Sequence, residues 1–393
     1  MPDRDEVATA SLREVLDAYG DDAAGYYREL RALGGRRGVF HDPEMAAVVV
    51  TGHALCSRLF TEPGLSKARL RLDTADVRGR IGDLAGRAQR LVERQMSFDE
   101  SADAQRSHAR WRRLLAVDAG SPQAQALRAL ASTAIDGLEE GAADVYNTVL
   151  RPYVSRAVAG RLSLGEAERQ ALQPLVYGYA DFLDGKASTG SATAAALSVA
   201  LLSDHIGARF ERLSACDPEP IDDRARWIAD YALTLVAGHE STAFALGVAL
   251  MMIAEHGPPP VGPAGLRRHL VEALRFDSPI QLVGRVAARD LPLGPGLNLR
   301  AGERLFLHVG AANRDPDRFA EPERFDPCRS GAGLLSFGLG PSRCVGLKLA
   351  LLEAEIFLDA LLRRPGGARF AVTAARFAHG LAGRSFDRLT LAF

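Results

Sequence analysis

The segment Phe337 to Gly346, FGLGPSRCVG, is the most informative part of the sequence, and a helical pattern begins directly after it. We call this segment the cysteine loop. Its glycines at 338, 340 and 346 let the backbone turn tightly and approach a ligand closely. The N-terminal end of the following helix lies behind Cys344 and favours a thiolate there. A cysteine among apolar residues is more often packed in a core, and the other three are interpreted in that way: Cys56, Cys216 and Cys328.

The segments on either side of the loop support a ligand site. Apolar residues recur at three- and four-residue spacing after it, which predicts a buried amphipathic helix; they are Leu347, Leu351, Ala354, Leu358 and Leu361. The preceding stretch, Ala311 to Gly340, is rich in Asn, Asp, Pro and Gly and has little periodicity. Such a long irregular segment within a compact protein usually has a functional role.

A long apolar helix is predicted upstream, beginning after a cap at Asp222 or Asp223 and ending near Glu255. At 1.5 Å per residue it is about 50 Å long. Its apolar part could span a bilayer, but His239 and Glu240 fall at the centre, where one carboxylate costs roughly 2.5 to 3.5 kcal/mol on insertion scales. A buried helix of a soluble protein is therefore favoured over a membrane span.

The remaining pattern predicts a mainly α protein with small antiparallel β-sheets. Residues 46–51, AAVVVT, are expected to form a buried strand, residues from about 107 to 213 are mostly helical, and 279–309 read as short strands and turns. A short helix is expected at about 266–276.

Composition excludes several classes of protein. The 48 basic and 49 acidic side chains give a net charge of −1, and 47% of residues are hydrophobic, so neither a disordered chain nor a nucleic-acid-binding protein is indicated. Lysine occurs three times, and the other 45 of the 48 basic residues are arginine. No C-x-x-C pair and no apolar N-terminal stretch is present. We therefore expect a cytoplasmic protein without a membrane anchor.

Four motifs in order make the chain resemble the cytochrome P-450 haem-thiolate monooxygenases over nearly its full length. The loop residues that match are Phe337, Gly338, Gly340, Cys344 and Gly346, and the family's equivalent cysteine is the axial ligand of haem iron. Glu272 and Arg275 in EALR, with Arg324 in PERF, match a charge network that supports the loop. The resemblance implies one P-450 domain over residues 1–393, β-rich near 38–55 and 279–310, with the long central helix across haem b.

Two further motifs carry the haem and oxygen chemistry of the resemblance. His108 and Arg112, in HARWRRLL, match a helix that grips a haem propionate, and Arg285 matches a second propionate contact. Taken alone, the basic stripe would be a solvated helix face. Arg343 is a further candidate for the cofactor. The oxygen-binding segment of the central helix is matched by Ala237, Gly238, His239, Glu240, Ser241 and Thr242.

The resemblance gives Glu240 and Ser241 the roles of an acid and an alcohol that relay protons to bound oxygen. Gly238 would let oxygen approach the backbone, and a local break in the helix would admit water. His239 is expected to be a packed residue. Two positions depart from the family pattern: Ser241 replaces the usual threonine, and Ser342 replaces a His or Arg that binds a propionate.

The implied activity is insertion of one oxygen atom from O2 into a small organic molecule, or its oxidative coupling, in secondary metabolism. Electrons would come from a separate ferredoxin and reductase, with Arg110, Arg113 and Lys348 as a docking face on a monomer. The expected substrate pocket includes Leu233, Ala237, Ile280, Leu282 and Val283. A haem-binding sensor without turnover and a peroxide-driven peroxygenase are the alternatives.

Overall fold

Helices make up most of the protein, whose computed structural model describes residues 7–67, 83–138, 141–184, 189–215, 217–260, 262–367 and 369–393. The first helices are α1 (Leu12–Tyr19), α2 (Ala23–Gly34), α3 (His53–Phe60), α4 (Asp83–Arg94), α5 (Ala102–Leu114), α6 (Pro122–Asp136) and α7 (Arg151–Arg161). They are followed by α8 (Glu166–Asp184), α9 (Thr189–Ala208), α10 (Phe210–Ser214), α11 (Arg224–His256), α12 (Pro263–Phe276), α13 (Val309–Ala312) and α14 (Leu347–Arg363).

The strands form small sheets at the edge of the helical part. They are β1 (Val39–Asp42), β2 (Ala47–Val50), β3 (Leu65–Ser66), β4 (Ala142–Asp144), β5 (Leu282–Ala287), β6 (Leu291–Gly294), β7 (Leu297–Leu299), β8 (Arg304–His308), β9 (Ala371–His379) and β10 (Arg384–Ala392). One sheet has the order β1-β2-β8-β5-β3, a second β4-β10-β9, and β6 pairs with β7. All pairs are antiparallel except β2 with β8. The predicted fold class, mainly α with small sheets, is confirmed.

The central helix α11 begins and ends within two residues of the prediction. Asp223 caps it by accepting a hydrogen bond from the Arg226 amide at 2.9 Å, and Gly257 ends it with a left-handed φ of 83°. The helix is long and apolar enough to cross a bilayer, yet 72% of its most apolar window is buried inside the protein. Packing against neighbouring helices therefore accounts for its apolar composition.

The C-terminal hairpin, β9 with β10, lies outside the two stretches that were expected to be rich in strands, 38–55 and 279–310. Phe386, Leu389 and Leu391 are the buried apolar residues of β10, and their spacing is three and then two. A register shift between Phe386 and Arg388 produces the longer step. The irregularity hides the period-two alternation by which a strand is recognised.

A buried charge network joins α12 to the irregular segment before the cysteine loop. Glu272 and Arg275 are 4% and 2% exposed, and two guanidinium nitrogens donate to the carboxylate at 2.9 Å. The remaining Arg275 donors bind the carbonyls of Asn313, Pro322 and Arg324. With its donors satisfied in this way, the pair can be buried without a large desolvation penalty.

Arg324, the third residue predicted for this network, does not place its side chain in it. The Arg324 side chain is 62% exposed and pairs with Glu321, so Arg324 contributes its backbone carbonyl alone. Arg329 instead brings Nε within 3.4 Å of Glu272 Oε1. Both arginines lie in irregular chain, where no periodicity determines which side chain turns inward.

Asn313 links this charge network to the cysteine loop. Its side chain is fully buried, its amide nitrogen donates to Ser278 and Ser336, and its amide oxygen accepts from the Leu335 backbone at 3.0 Å. Residues 335 and 336 directly precede the loop, so Asn313 fixes the point at which the loop begins.

Arg275→Met should destabilise the protein by about 3–5 kcal/mol, because it leaves the buried Glu272 carboxylate without its guanidinium. Arg324→Met should change the free energy of unfolding by no more than about 0.5 kcal/mol, because its side chain is solvated. Urea unfolding of both variants measures the difference. A loss of several kcal/mol in Arg324→Met would contradict this assignment.

Candidate active site

The cysteine loop makes two tight turns before α14. Gly338 and Gly340 have left-handed φ values of 66° and 67°, which side chains other than glycine rarely adopt. A Cβ on Gly340 would also lie 2.7 Å from Thr61 Cγ2. The Cys344 amide donates to the Phe337 carbonyl at 2.9 Å, which closes the loop and fixes the cysteine one turn ahead of the helix.

The surroundings of Cys344 have two opposite effects on the pKa of its thiol. Burial is the larger influence and raises the pKa of the thiol, whereas the backbone amides of Gly346 and Leu347 and the charges of Arg343 and Arg112 oppose it. The amides at the start of α14 thus favour a thiolate, as the sequence indicates, whereas the protein around the sulfur acts in the opposite direction. A positively charged ligand such as a metal ion is needed to hold the sulfur as thiolate.

Cys344 faces a cavity of about 370 Å³ that separates the cysteine loop from the central helix. The predicted site and pocket residues that line it are His108, Leu233, Ala237, Gly238, Ser241, Thr242, Ile280, Val283, Arg285, Phe337, Gly338, Cys344 and Gly346. The sequence motifs, which are far apart along the chain, thus meet in one place. Most of the lining is apolar, and the polar groups are few.

Leu282 is one predicted pocket residue that does not line the cavity. Val283 and Arg285 on the same strand face the cavity, and successive side chains of a strand point to opposite faces. Leu282 consequently packs on the other face of β5, in an apolar cluster with residues of α1 and α2.

Glu240 also lies outside the cavity, contrary to its predicted role as an acid beside the oxygen site. Its carboxylate accepts from Arg151 Nη2 at 2.8 Å and from the Tyr146 hydroxyl at 3.0 Å, and Arg151 Nε lies 2.8 Å from the other oxygen. Although burial of the guanidinium opposes it, Glu240 raises the pKa of Arg151. Glu240 is therefore held in an ion pair on the side of α11 that faces α7.

Ser241 faces the cavity, but its hydroxyl is already bonded. The hydroxyl oxygen donates to the Ala237 carbonyl one turn earlier at 2.9 Å, a common arrangement for serine within a helix. The helix is continuous from Arg224 to His256, so the expected local break is not observed. Gly238 has a packing role as well, since a Cβ there would lie 2.9 Å from Val158 Cγ2.

The predicted cations divide between the cavity and the surface. His108 lines the cavity, and Arg112 lies exposed beside it with Nη2 3.2 Å from His108 Nδ1. Burial, followed by the charges of Arg112 and Lys67, lowers the pKa of His108. The Arg343 side chain is exposed and is not among the lining residues. Arg343 directly follows the short turn Gly340–Ser342. Its backbone, and not its guanidinium, lies next to the site.

Sequence reasoning missed several residues that the fold brings to the site. Arg151 and Tyr146, which hold Glu240, carry no motif. Asn313 was part of the irregular stretch but was not singled out. Lys67 lines the cavity, and the available signal was its rarity in a chain that otherwise uses arginine.

Comparison with known proteins agrees with this geometry. The Cytochrome P450 family profile matches residues 266–364. The biotin biosynthesis cytochrome P450 of Bacillus subtilis (strain 168) is 35% identical over 170 residues, which are 41% of this chain and 42% of that protein. The 20-oxo-5-O-mycaminosyltylactone 23-monooxygenase of Streptomyces fradiae is 38% identical over 136 residues, 34% and 32% of the two chains. The chain thus matches less than half the length of these relatives.

The fold likeness extends over nearly all of the chain. The structure of P450BioI, solved with a hexadec-9Z-enoic acid ligated acyl carrier protein, superposes with a TM-score of 0.79 at 22% identity and covers 96% of this chain and 100% of that one. The fold is therefore that of the cytochromes P450, and the sequence is similar to that family over part of its length.

The cofactor of this family is haem, iron protoporphyrin IX, and the cavity fits it. Cys344 presents a sulfur that needs a positive partner, with two backbone amides close to it. Arg285 is 7% exposed and lines the same cavity, so it can bind a carboxylate. The apolar walls suit a flat hydrophobic ring. We assign Cys344 as the residue that would hold the iron.

His239 lies beside the site but is packed away from it, as predicted. Its Nε2 is 3.0 Å from Ser155 Oγ on α7, and its Nδ1 contacts the Leu235 carbonyl. Burial lowers the pKa of His239 to about 4. The folded protein therefore keeps this ring neutral, whereas the unfolded chain protonates it below about pH 6.5.

His239→Gln should reduce the acid sensitivity of the fold. The lowered pKa means that His239 supports stability above pH 6.5 and that this contribution is lost as the pH falls towards 4. Between pH 7.5 and 5.0 the wild type should lose about 2 kcal/mol more than the variant in urea unfolding. His256→Gln, at the exposed end of α11, is the control and should behave as the wild type. Equal losses in all three proteins would contradict this effect.

Proposed function

We propose that the protein is a haem-thiolate monooxygenase. The observation that supports this most directly is that one cavity is lined both by Cys344 and by Ser241 and Thr242 of the central helix. Haem, when bound, supplies the one-electron chemistry that activates O2, and a thiolate ligand promotes cleavage of the O–O bond. Two electrons and two protons then reduce one oxygen atom to water while the other is inserted into the substrate.

The residues of this chain position the reactants and exclude water. The cysteine loop holds the sulfur, and apolar side chains form the walls. Arg285 can neutralise a carboxylate at the cavity edge, and His108, whose pKa is lowered by burial, can offer it a hydrogen bond. Leu233, Ala237, Ile280 and Val283 are proposed to contact a small and mainly apolar substrate, because few polar groups are available to them.

Proton supply is assigned to Ser241, since it is the member of the acid and alcohol pair that faces the cavity. Its hydroxyl rests on the Ala237 carbonyl and can turn about χ1 to donate into the cavity. Glu240 exchanges protons with this region only if its ion pair with Arg151 opens. Thr242 is buried at the same edge and is proposed to shape the oxygen site.

Electrons are proposed to come from a ferredoxin-type protein in the cytoplasm, on a monomeric enzyme. The predicted docking face is revised, because Arg110 is bound to Asp217 at 2.6 Å and Arg113 to Glu219 at 2.7 Å. The exposed cations next to the cysteine loop are Arg112, Arg343 and Lys348. These three form the surface that an acidic partner would contact.

The substrate is proposed to be a biosynthetic intermediate of secondary metabolism. The names of the relatives support a biosynthetic role in general, since one is a biotin biosynthesis cytochrome P450 and another a 20-oxo-5-O-mycaminosyltylactone 23-monooxygenase. P450BioI accepts its fatty acid on an acyl carrier protein, so carrier-bound substrates belong in any screen.

One experiment separates this function from the alternatives. Oxygen uptake and product formation are measured with a surrogate ferredoxin system, with peroxide alone, and with neither. Turnover that requires the reductant supports a monooxygenase. Turnover with peroxide alone would indicate a peroxygenase, and haem binding without turnover would indicate a sensor.

Cys344→Ser should abolish the red-shifted Soret band of the reduced carbon monoxide complex, because serine lacks the sulfur ligand. Cys328 was predicted to be packed in a core but is exposed, and it does not line the cavity. Cys328→Ser is therefore the matched control and should retain the band. The band is read in the visible spectrum after reduction. A wild-type protein that binds haem without this band would overturn the proposed function.

Ser241→Ala should lower the product formed per reducing equivalent by about tenfold, because a positioned proton donor is lost while water can partly replace it. Ser241→Thr keeps the hydroxyl and should retain coupling. Product, oxygen and peroxide are measured together in the surrogate system. Unchanged coupling in the alanine variant would remove Ser241 from the mechanism.

A further inference from the structure

Two basic side chains meet at the edge of the cavity on adjacent strands. β3 pairs antiparallel with β5, with Leu65 opposite Ala287 and Ser66 opposite Val286. Continuing this register by one residue sets Lys67 opposite Arg285. Opposed residues of an antiparallel pair lie on the same face, and both of these side chains line the cavity.

Neither cation is neutralised by an acid. Lys67 Nζ donates to the Met96 carbonyl at 2.7 Å, and Arg285 Nη1 donates to the Gly284 carbonyl at 2.8 Å. In the described residues, no carboxylate forms an ion pair with either of them. Burial lowers the pKa of each, and the charge of Arg285 lowers that of Lys67 further.

The acids in the neighbourhood have other partners. Glu100 accepts from Ser66 Oγ at 2.7 Å and from the Lys67 backbone amide at 2.9 Å. Asp230 accepts from the Met96 amide at 2.6 Å and also from Ser107, and Asp99 binds Arg226. These carboxylates influence Lys67 through space, but they leave the cavity side of its ammonium group open.

Like charges placed opposite each other on adjacent strands repel, and burial increases that cost. An anion lying between Lys67 and Arg285 would remove this repulsion. Ser342, where the family pattern has a basic residue, lines the same cavity without a charge. The group that enters here with carboxylates is the haem, which carries two propionates.

We propose that Lys67 and Arg285 together bind one haem propionate, and that Lys67 replaces the cation that is missing at Ser342. This proposal rests on haem being the cofactor, as in the proposed function. Lysine suits the position because its ammonium is a compact charge on a flexible stem, which can reach a carboxylate already held by a planar guanidinium. The hydrogen bond to Met96 holds the ammonium group near the cavity.

The test compares the rate at which haem leaves wild-type protein, Lys67→Gln and Arg304→Gln for an excess of apomyoglobin. Lys67→Gln should lose haem about 10- to 100-fold faster, as expected for loss of a hydrogen bond between charged groups. Arg304, an exposed cation on the next strand of the sheet, is the control and should leave the rate unchanged. A wild-type rate in Lys67→Gln would overturn the proposal.

Iron protoporphyrin dimethyl ester, which has no propionate charge, separates a direct contact from a general loss of structure. Wild type and Lys67→Gln should release the ester at the same rate, and Ser342→His added to Lys67→Gln should restore retention of ordinary haem. Equal weakening of haem and ester would assign Lys67 a structural role and reject the proposal. Failure of the wild type to form a thiolate-ligated haem would instead reject the proposed function.

Discussion

The charge on the Cys344 sulfur, which is open to the cavity, governs how the rest of the site is arranged. Burial disfavours the Cys344 thiolate, and two backbone amides recover only part of that cost. The proposed haem iron would stabilise the thiolate, and the loop presents the sulfur at one fixed place. Gly338 and Gly340 supply the turns, and the position of the loop is set from behind by Asn313 and by the Glu272–Arg275 pair. The buried charge network and Asn313, which do not line the cavity, thus determine where the Cys344 sulfur lies.

Basic side chains line the cavity together with the buried carboxyl group of Glu353, whose pKa burial raises well above its usual range. Lys67, Arg285 and His108 line the cavity, whereas Glu240 is turned towards Arg151 and Glu100 is bonded at the end of β3. The interior is consequently a receptor for an anion. Ferric haem bound to a thiolate is anionic overall, because the porphyrin nitrogens, the propionates and the sulfur together outweigh the charge of the iron. The protein therefore supplies compensating charge where the propionates would lie.

The sequence predicted elements whose ends carry a local signal. Asp223 and Gly257 bound the central helix within two residues of the prediction, and the strand at residues 47–50 and the helix after Cys344 were also predicted. Predictions from the sequence were wrong or missing for side chains whose orientation depends on packing between distant parts of the chain. The central helix is apolar on nearly all sides, so no polar face indicates that Glu240 turns from the cavity. Arg324 and Arg329 lie in irregular chain, and Lys67 follows a two-residue strand whose partner lies far along the sequence.

In the proposed mechanism, the orientation of Glu240 determines which step limits the delivery of protons. Moving the Ser241 hydroxyl off the Ala237 carbonyl breaks a neutral hydrogen bond, which contributes about 0.5–1.5 kcal/mol. Releasing Glu240 breaks a hydrogen bond to a charged guanidinium, worth about 1.5–3 kcal/mol, and a further one to Tyr146. The serine therefore turns far more often than the acid is released. Opening of the Arg151–Glu240 pair, and not rotation of Ser241, sets how often the cavity can exchange a proton through this acid.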